Sequence, residues 1–199
     1  DGNDVCEPVV EIFQGCRSSS EHLSAPLTPS EGMPGVEVKG YRPDGWVWSA
    51  WAKGYKLGVI ASSDHWSTHV SYAFILTDDF SREGLLRAMR QRHTYAATSN
   101  IIMDFRIKDS TGEHLMGDET CTTTKPELRV RVLGTAPIKE AVIIRDNKYI
   151  YNHKGSGVSL DFTISDPNIT LGSHYYYARM EQEDGNVTRS SPIWVEYKP

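Results

Sequence analysis

"GVIASSDHWSTHVSYAFIL", residues 58–76, is the stretch on which the reading of this chain turns. An apolar run ends in Ser62, Ser63 and Asp64, polar groups fill the next positions, and a second apolar run leaves. Two readings compete: a metal or substrate site at the end of a buried strand, or a polar turn between two strands. Asp64, His65 and His69 fall within six residues, and oxygen and imidazole donors at the carboxyl end of a strand are where α/β folds collect such groups. An H-x-x-x-H pair suits zinc on a helix, but Ser67, Thr68 and the β-like run after them argue against a helix here. Spacing alone therefore favours the polar turn.

Working outward, residues up to about 108 alternate short apolar runs with helix-like segments. "PVVEIFQ" (8–14), "KLGVIASS" (56–63) and "HVSYAFIL" (69–76) read as strands, whereas "DGWVWSAWAKGY" (44–55) and "SREGLLRAMRQR" (81–92) interrupt them. That rhythm predicts α/β structure. In the second helix Ser81 is a natural N-cap, Gly84 stands at the capping-box position, and Leu85, Leu86 and Met89 share an apolar face. Residues 15–43 carry Pro26, Pro29, Pro34 and Pro43 among Ser and Gly and read as a long loop.

Beyond residue 108 helical periodicity vanishes. "ELRVRVLG" (127–134), "KEAVIIRD" (139–146), "KYIYNH" (148–153), "VSLDFTI" (158–164), "SHYYYARMEQ" (173–182) and "SPIWVEY" (191–197) are strand-like, separated by turn sequences such as "DNK" and "EDGN". They predict a small antiparallel β-sandwich over 109–199. "ELRVRV" alternates charge with apolar side chains, as a sheet with one wet face requires. The rings of "HYYYAR" read as alternating packed rings in a strand rather than a carbohydrate platform.

The bulk properties narrow the function. With 199 residues, 39% hydrophobic and 24% charged, the chain has an ordinary globular composition. A net charge of -5 without a long basic cluster sets nucleic acid aside as a partner. No apolar run approaches the ~18–20 residues that span a bilayer. Cys6, Cys16 and Cys121 cannot all pair within one chain, and none belongs to a C-x-x-C motif. Cys6 and Cys16 could close a short loop, with free buried thiols the more frequent reading.

"KLGVIASSDHWSTH", followed by "SREGLLRAMRQRHTYAATSNIIMDFRI" and "HLMGDE", resembles the closing section of the polymerase-and-histidinol-phosphatase (PHP) superfamily of metal-dependent hydrolases, in particular a subgroup of exported proteins with a β-rich tail. "VVEIFQG" (9–15) resembles that family's preceding barrel strand and "SSPIWV" (190–195) its terminal strand. The resemblance implies a fold of α/β plus all-β type: the C-terminal part of a PHP-like (β/α) barrel over 1–108, then a β-sandwich over 109–199. It implies a metal-dependent hydrolase, a phosphoesterase, using water activated by divalent ions (Zn, Mn or Fe). Asp64 and His65 would be late metal ligands with His69 in reserve, and Glu11 would stand at the rim of the site on the substrate side. It also favours a periplasmic or secreted location. Independently of the resemblance, Arg17, Glu21 and His22 in the long loop could bind an anionic substrate, although solvated loop charges are the commoner case.

Two departures shape the expectation. The family pattern Asp-x-His appears here as Asp64-His65-Trp66, and an indole cannot bind metal. No His-x-His occurs anywhere in the chain, although the family opens with one. A hydrolytic cation cluster needs several convergent donors to bring a bound water into the nucleophilic range. Asp64 with one or two histidines is too few, so the expectation is a fragment inactive alone, completed by a missing N-terminal part of the barrel or by a homo-oligomeric partner. The alternative is a non-catalytic binding or structural module with a degenerate metal site.

Overall fold

The computed structural model describes residues 6–14, 19–29, 45–65 and 70–199. Its elements, in chain order, begin with β1 (Val9–Gln14), α1 (Val47–Ala52), β2 (Gly58–Ser62), β3 (Tyr72–Ile75), α2 (Arg82–Arg90), β4 (Thr94–Ala97) and β5 (Ile102–Asp109). There follow β6 (Gly112–Leu115), β7 (Glu119–Thr122), β8 (Glu127–Leu133), β9 (Ile138–Arg145), β10 (Lys148–Lys154), β11 (Ser159–Ser165), β12 (Gly172–Gln182), β13 (Val187–Ser190) and β14 (Ile193–Tyr197).

The strands form three layers. In the middle lies an eight-stranded sheet ordered β10-β9-β12-β13-β4-β3, with β14 also pairing β12 and β7 pairing β14. A four-stranded sheet, β11-β8-β5-β6, covers one face, and the parallel pair β1–β2 with α1 covers the other. The alternation of side chains across a strand explains why the middle sheet needs two covers. Along β12 every residue from His174 to Met180 is buried. Tyr176, Ala178 and Met180 enter the core shared with Phe105, Leu128 and Val130, while Tyr175 and Tyr177 enter the core shared with Ile12, Phe13, Val59 and Trp51. β9 divides the same way, Ala141 and Ile143 to one side, Val142 and Ile144 to the other. Each such fully buried large aliphatic or aromatic side chain contributes about 1.5–3 kcal/mol by leaving water.

β8 follows its sequence pattern. Leu128, Val130 and Val132 are buried, and Glu127, Arg129 and Arg131 between them are exposed. The rings of "HYYYAR" are likewise packed in a strand, on both of its faces.

The expected portion of a PHP-like (β/α) barrel is not formed. Strands account for 49% of the described residues and two helices for 9%. The α/β rhythm misleads because of how β3 and β4 join: they flank α2 yet pair antiparallel, so the unit is not a parallel crossover. β4 then pairs antiparallel with β13, which draws residues before 108 into the same sheet as β9 and β12. Among the described strands before residue 108, β1 and β2, connected through α1, are the pair that keeps the parallel arrangement an α/β reading requires; the other parallel pair, β7 with β14, lies beyond it.

Helix α2 starts as expected: the Ser81 hydroxyl accepts the Gly84 amide at 3.0 Å. Its buried positions are Gly84 and Ala88, and Leu86 is exposed. Glycine is required at position 84, where a Cβ would lie 2.2 Å from the Asp79 carbonyl of the turn before the helix.

Candidate functional site

The carboxyl ends of β1 and β2 are the place where the chain gathers polar side chains beside a parallel pair. β2 reaches that position through a close approach to the middle sheet. A Cβ on Gly58 would lie 2.7 Å from the Cβ of Arg92 and 2.8 Å from the Ser191 hydroxyl, so glycine lets the strand in. The next amide, of Val59, donates to that hydroxyl at 2.9 Å. β1 is registered on β2 from Val9 opposite Gly58 to Gln14 opposite Ser62, with an irregularity between Glu11 and Phe13.

At the far end the Ser62 hydroxyl donates to the Glu11 carboxylate. The Ser63 hydroxyl accepts the amides of Val70 and Ser71 at 3.1 and 3.3 Å, which ties the returning chain to the end of β2. Asp64 adopts a left-handed backbone, φ 64°, a conformation uncommon outside glycine though tolerated best by Asp and Asn. Its Oδ1 accepts the His65 amide at 2.7 Å and lies 2.6 Å from His65 Nδ1. The His65 side chain is 72% exposed, whereas that of Asp64 is 11% exposed. Glu11, Asp64 and His65 thus lie at one end of the parallel pair. His69 and Trp66 fall outside the described residues.

Among the described residues no three His, Cys, Asp or Glu side chains stand close enough to hold a metal ion. Asp64 and His65 engage each other, and Glu11 is engaged by Ser62. These described residues do not by themselves fit the multinuclear centre that metal-activated water requires.

Of the substrate-facing candidates, Arg17 falls outside the described residues, and His22 belongs to a different region. Its ring stacks on Trp48 with centroids 3.7 Å apart, and its Nε2 lies 2.8 Å from the Tyr149 hydroxyl. Burial lowers its pKa, against the opposing pull of Glu21. Beside it sits the strongest electrostatic feature of the described residues, the fully buried Glu21. Glu21 accepts from Arg179 at 2.8 Å, from the Tyr177 hydroxyl at 2.6 Å and from Arg189. Burial alone would raise its pKa, but the Arg189 and Arg179 charges and the Tyr177 hydrogen bond outweigh that and hold it at about 2. Arg189 also lies 5.1 Å over the Phe13 ring and donates to the Pro26 carbonyl. The network fastens the 19–29 loop to the middle sheet. Glu21, in sequence one of three loop groups with Arg17 and His22, is instead buried in an ion-pair network; its arginine partners lie 158 and 168 residues away, beyond the reach of any local pattern.

The "MGDE" segment is structural as well. Gly117, at φ 100°, lies against the backbone of Arg92, Asp118 pairs with His93 at 2.8 Å, and Glu119 pairs with Arg92 at 2.8 Å and with Lys56. His93 and Tyr95 thus satisfy a carboxylate and a carbonyl, the latter at Ile101. Cys6 and Cys121 are exposed free thiols, and Cys16 lies outside the described residues.

Fold and site together define a three-layer, β-dominated protein with a carboxylate–imidazole pair, Asp64 and His65, directly after one strand of a parallel pair. Comparison adds relatives rather than an activity. The chain is 29% identical to an uncharacterised protein of Chlamydia trachomatis serovar D and 30% identical to one of Chlamydia pneumoniae, each alignment covering 96% of this chain and 34% of the relative. A Chlamydia muridarum protein, also uncharacterised, is 28% identical over the same shares. The chain therefore spans about a third of the length of the curated relatives it matches. No family model matches it, and no solved structure matches it. No helix among the described residues is long and apolar enough to cross a membrane.

Proposed function

We propose that this chain is the β-rich part of a longer metal-dependent hydrolase acting on a phosphoester, to which it contributes Asp64 and His65, with Glu11 beside them, as an incomplete donor set. The observation that carries this reading is that the Asp64–His65 pair directly follows the carboxyl end of β2, whose last residue, Ser62, is bonded by Glu11 of the parallel neighbour β1; strand ends of parallel pairs are where α/β sheets present catalytic groups. The likeness of its motifs to PHP proteins supplies the reaction class. The rest of a longer polypeptide, or a second copy, would bring the remaining donors, and the relatives are long enough to contain them. In this reading the middle sheet and its β5–β8 cover are the rigid support.

A second reading, a non-catalytic binding module, is favoured by one observation: Asp64 Oδ1 already receives both the amide and the ring of His65. Elemental analysis and a bis(p-nitrophenyl) phosphate assay, run on this chain and on the longest polypeptide that contains it, separate the two. The hydrolase reading expects metal and turnover in the longer protein, both reduced by Asp64→Asn without loss of secondary structure. A longer protein that holds no metal and cleaves no phosphoester overturns it in favour of the module.

A further inference from the structure

A cavity of about 520 Å³ opens where the end of α1 meets β12 and β14. It lies at the opposite end of β2 from Asp64: Lys56, on its wall, precedes the strand, and Asp64 follows it, with about 16 Å of strand between. Three rings from three elements form its apolar wall, Trp51, Tyr175 and Trp194. Trp51 and Tyr175 have centroids 5.8 Å apart with planes tilted by 55°, and Arg92 sits 5.0 Å over the Trp194 ring. The volume falls in the range of about 300–1,000 Å³ usual for small-molecule sites, which likewise combine apolar walls with a few fixed polar groups.

The polar wall is rigid and balanced in charge. His174 is fixed between Asp146, 2.6 Å from its Nδ1, and the Thr170 carbonyl, 2.8 Å from its Nε2. Asp146 also accepts the Tyr175 amide at 3.1 Å, and the Asn147 side chain accepts the Tyr175 hydroxyl at 2.7 Å while donating to the Trp48 carbonyl. Lys56 is paired with Glu119. Each charge has an opposite neighbour, so the cavity offers no net field for an ion. Hydrogen-bonding capacity nevertheless remains: an ammonium has three N–H groups, an amide two, and each carboxylate oxygen more than one lone pair. Donors and acceptors thus stand opposite aromatic rings. A second, smaller cavity of about 120 Å³ shares Lys56, Ser173, His174 and Trp194 with the first and extends it along β14.

A neutral polyhydroxylated ligand matches this surface. Its C–H groups meet the exposed edges of the rings, its hydroxyls both donate and accept, and it carries no charge that would need a counter-charge from the cavity. We propose that the cavity bounded by Trp51, Tyr175, Trp194, Asp146 and Asn147 binds a short neutral saccharide. The proposal goes beyond the hydrolase reading and uses none of its residues, so either stands if the other fails.

The test is saturation-transfer and ¹⁵N-correlated NMR on the intact chain with glucose, galactose, N-acetylglucosamine, maltose and cellobiose, and phenyl phosphate as the ionic comparator. Expected are saturable shifts of the Trp51 and Trp194 indole N–H signals with at least one saccharide. Ala52 and Ser173 line the cavity with exposed side chains, so Ala52→Trp and Ser173→Arg should each fill it and abolish those shifts while the remaining spectrum is kept. Absence of saturable shifts with every saccharide overturns the proposal, as does binding that survives in either folded variant, or phenyl phosphate binding more tightly than all the sugars. The indole signals of the unsubstituted chain decide the matter even if a variant fails to fold.

Discussion

The two faces of the middle sheet are held by different physics. Toward β5 and β8 the contact is between apolar side chains, with Phe105, Met103, Leu128 and Val130 meeting Tyr176, Ile143 and Ile193. Toward β1, β2 and α1 there is also an apolar core, but it carries a buried carboxylate between two arginines, only one of whose charges Glu21 can neutralise. Dispersion and water release hold the body of the first face, with one ion pair at its edge, Asp166 after β11 to Arg145 of β9. The second depends on a group that titrates. A buried ion pair is weak evidence for stability, because its desolvation offsets its attraction, yet breaking it leaves charge stranded. Its use here is to fix where one loop docks.

The largest effects should come from removing the centre of each face. Glu21→Ala leaves two guanidiniums without their shared carboxylate and is expected to cost about 3–5 kcal/mol of unfolding free energy in urea titration. Phe105→Ala, on the apolar face, should cost a similar ~3–5 kcal/mol through lost burial and a cavity. Equal costs from the two substitutions would not make the faces alike, because pH separates them. Glu21 has its folded pKa depressed to about 2 from an ordinary 4.5. Its contribution is therefore complete above 4.5 and is lost as pH falls through about 2. The stability gap between the unsubstituted protein and Glu21→Gln should narrow over that window, and the gap to Phe105→Ala should not. A Glu21→Gln gap that stays constant from pH 6 to pH 2 would remove the distinction.

Smaller effects set the scale away from both faces. Ser81→Ala, which removes the cap of α2, should cost about 1 kcal/mol, read from the same urea titrations. Arg129→Ala, which breaks an exposed pair with Asp161 on the wet side of β8, should leave the unfolding midpoint where it is. A clear shift there would mean that the wet face is covered by something in solution.

The contrast between faces also marks what could be read in advance. The strands β8 to β12 and β14 were legible because alternation and turn residues are local signals, and α2 because its cap and periodicity are. β4, β7 and β13 were not: four-residue strands such as "VTRS" and "ETCT" owe their state to their neighbours in the sheet. The α/β reading of the first half failed at a specific point. Whether two strands flanking a helix run parallel or antiparallel is a tertiary fact, and "SYAFIL" through "YAAT" carries nothing that decides it. At the strand-end cluster, Asp64 and His65 were visible as polar groups closing an apolar run. The Glu11–Ser62 contact needed the register of a parallel pair, and the Glu21 network needed residues far apart in the chain.

β12 occupies the centre of the middle sheet with both of its sides enclosed, and it is synthesised after β4 and β9, strands of the same sheet. Until residues 172–182 have left the ribosome, β9 shows apolar side chains to water on each side, and β4 lacks β13 as its neighbour. Since translation adds only about 5–20 residues per second, the nascent protein spends seconds as a sticky, half-built sheet.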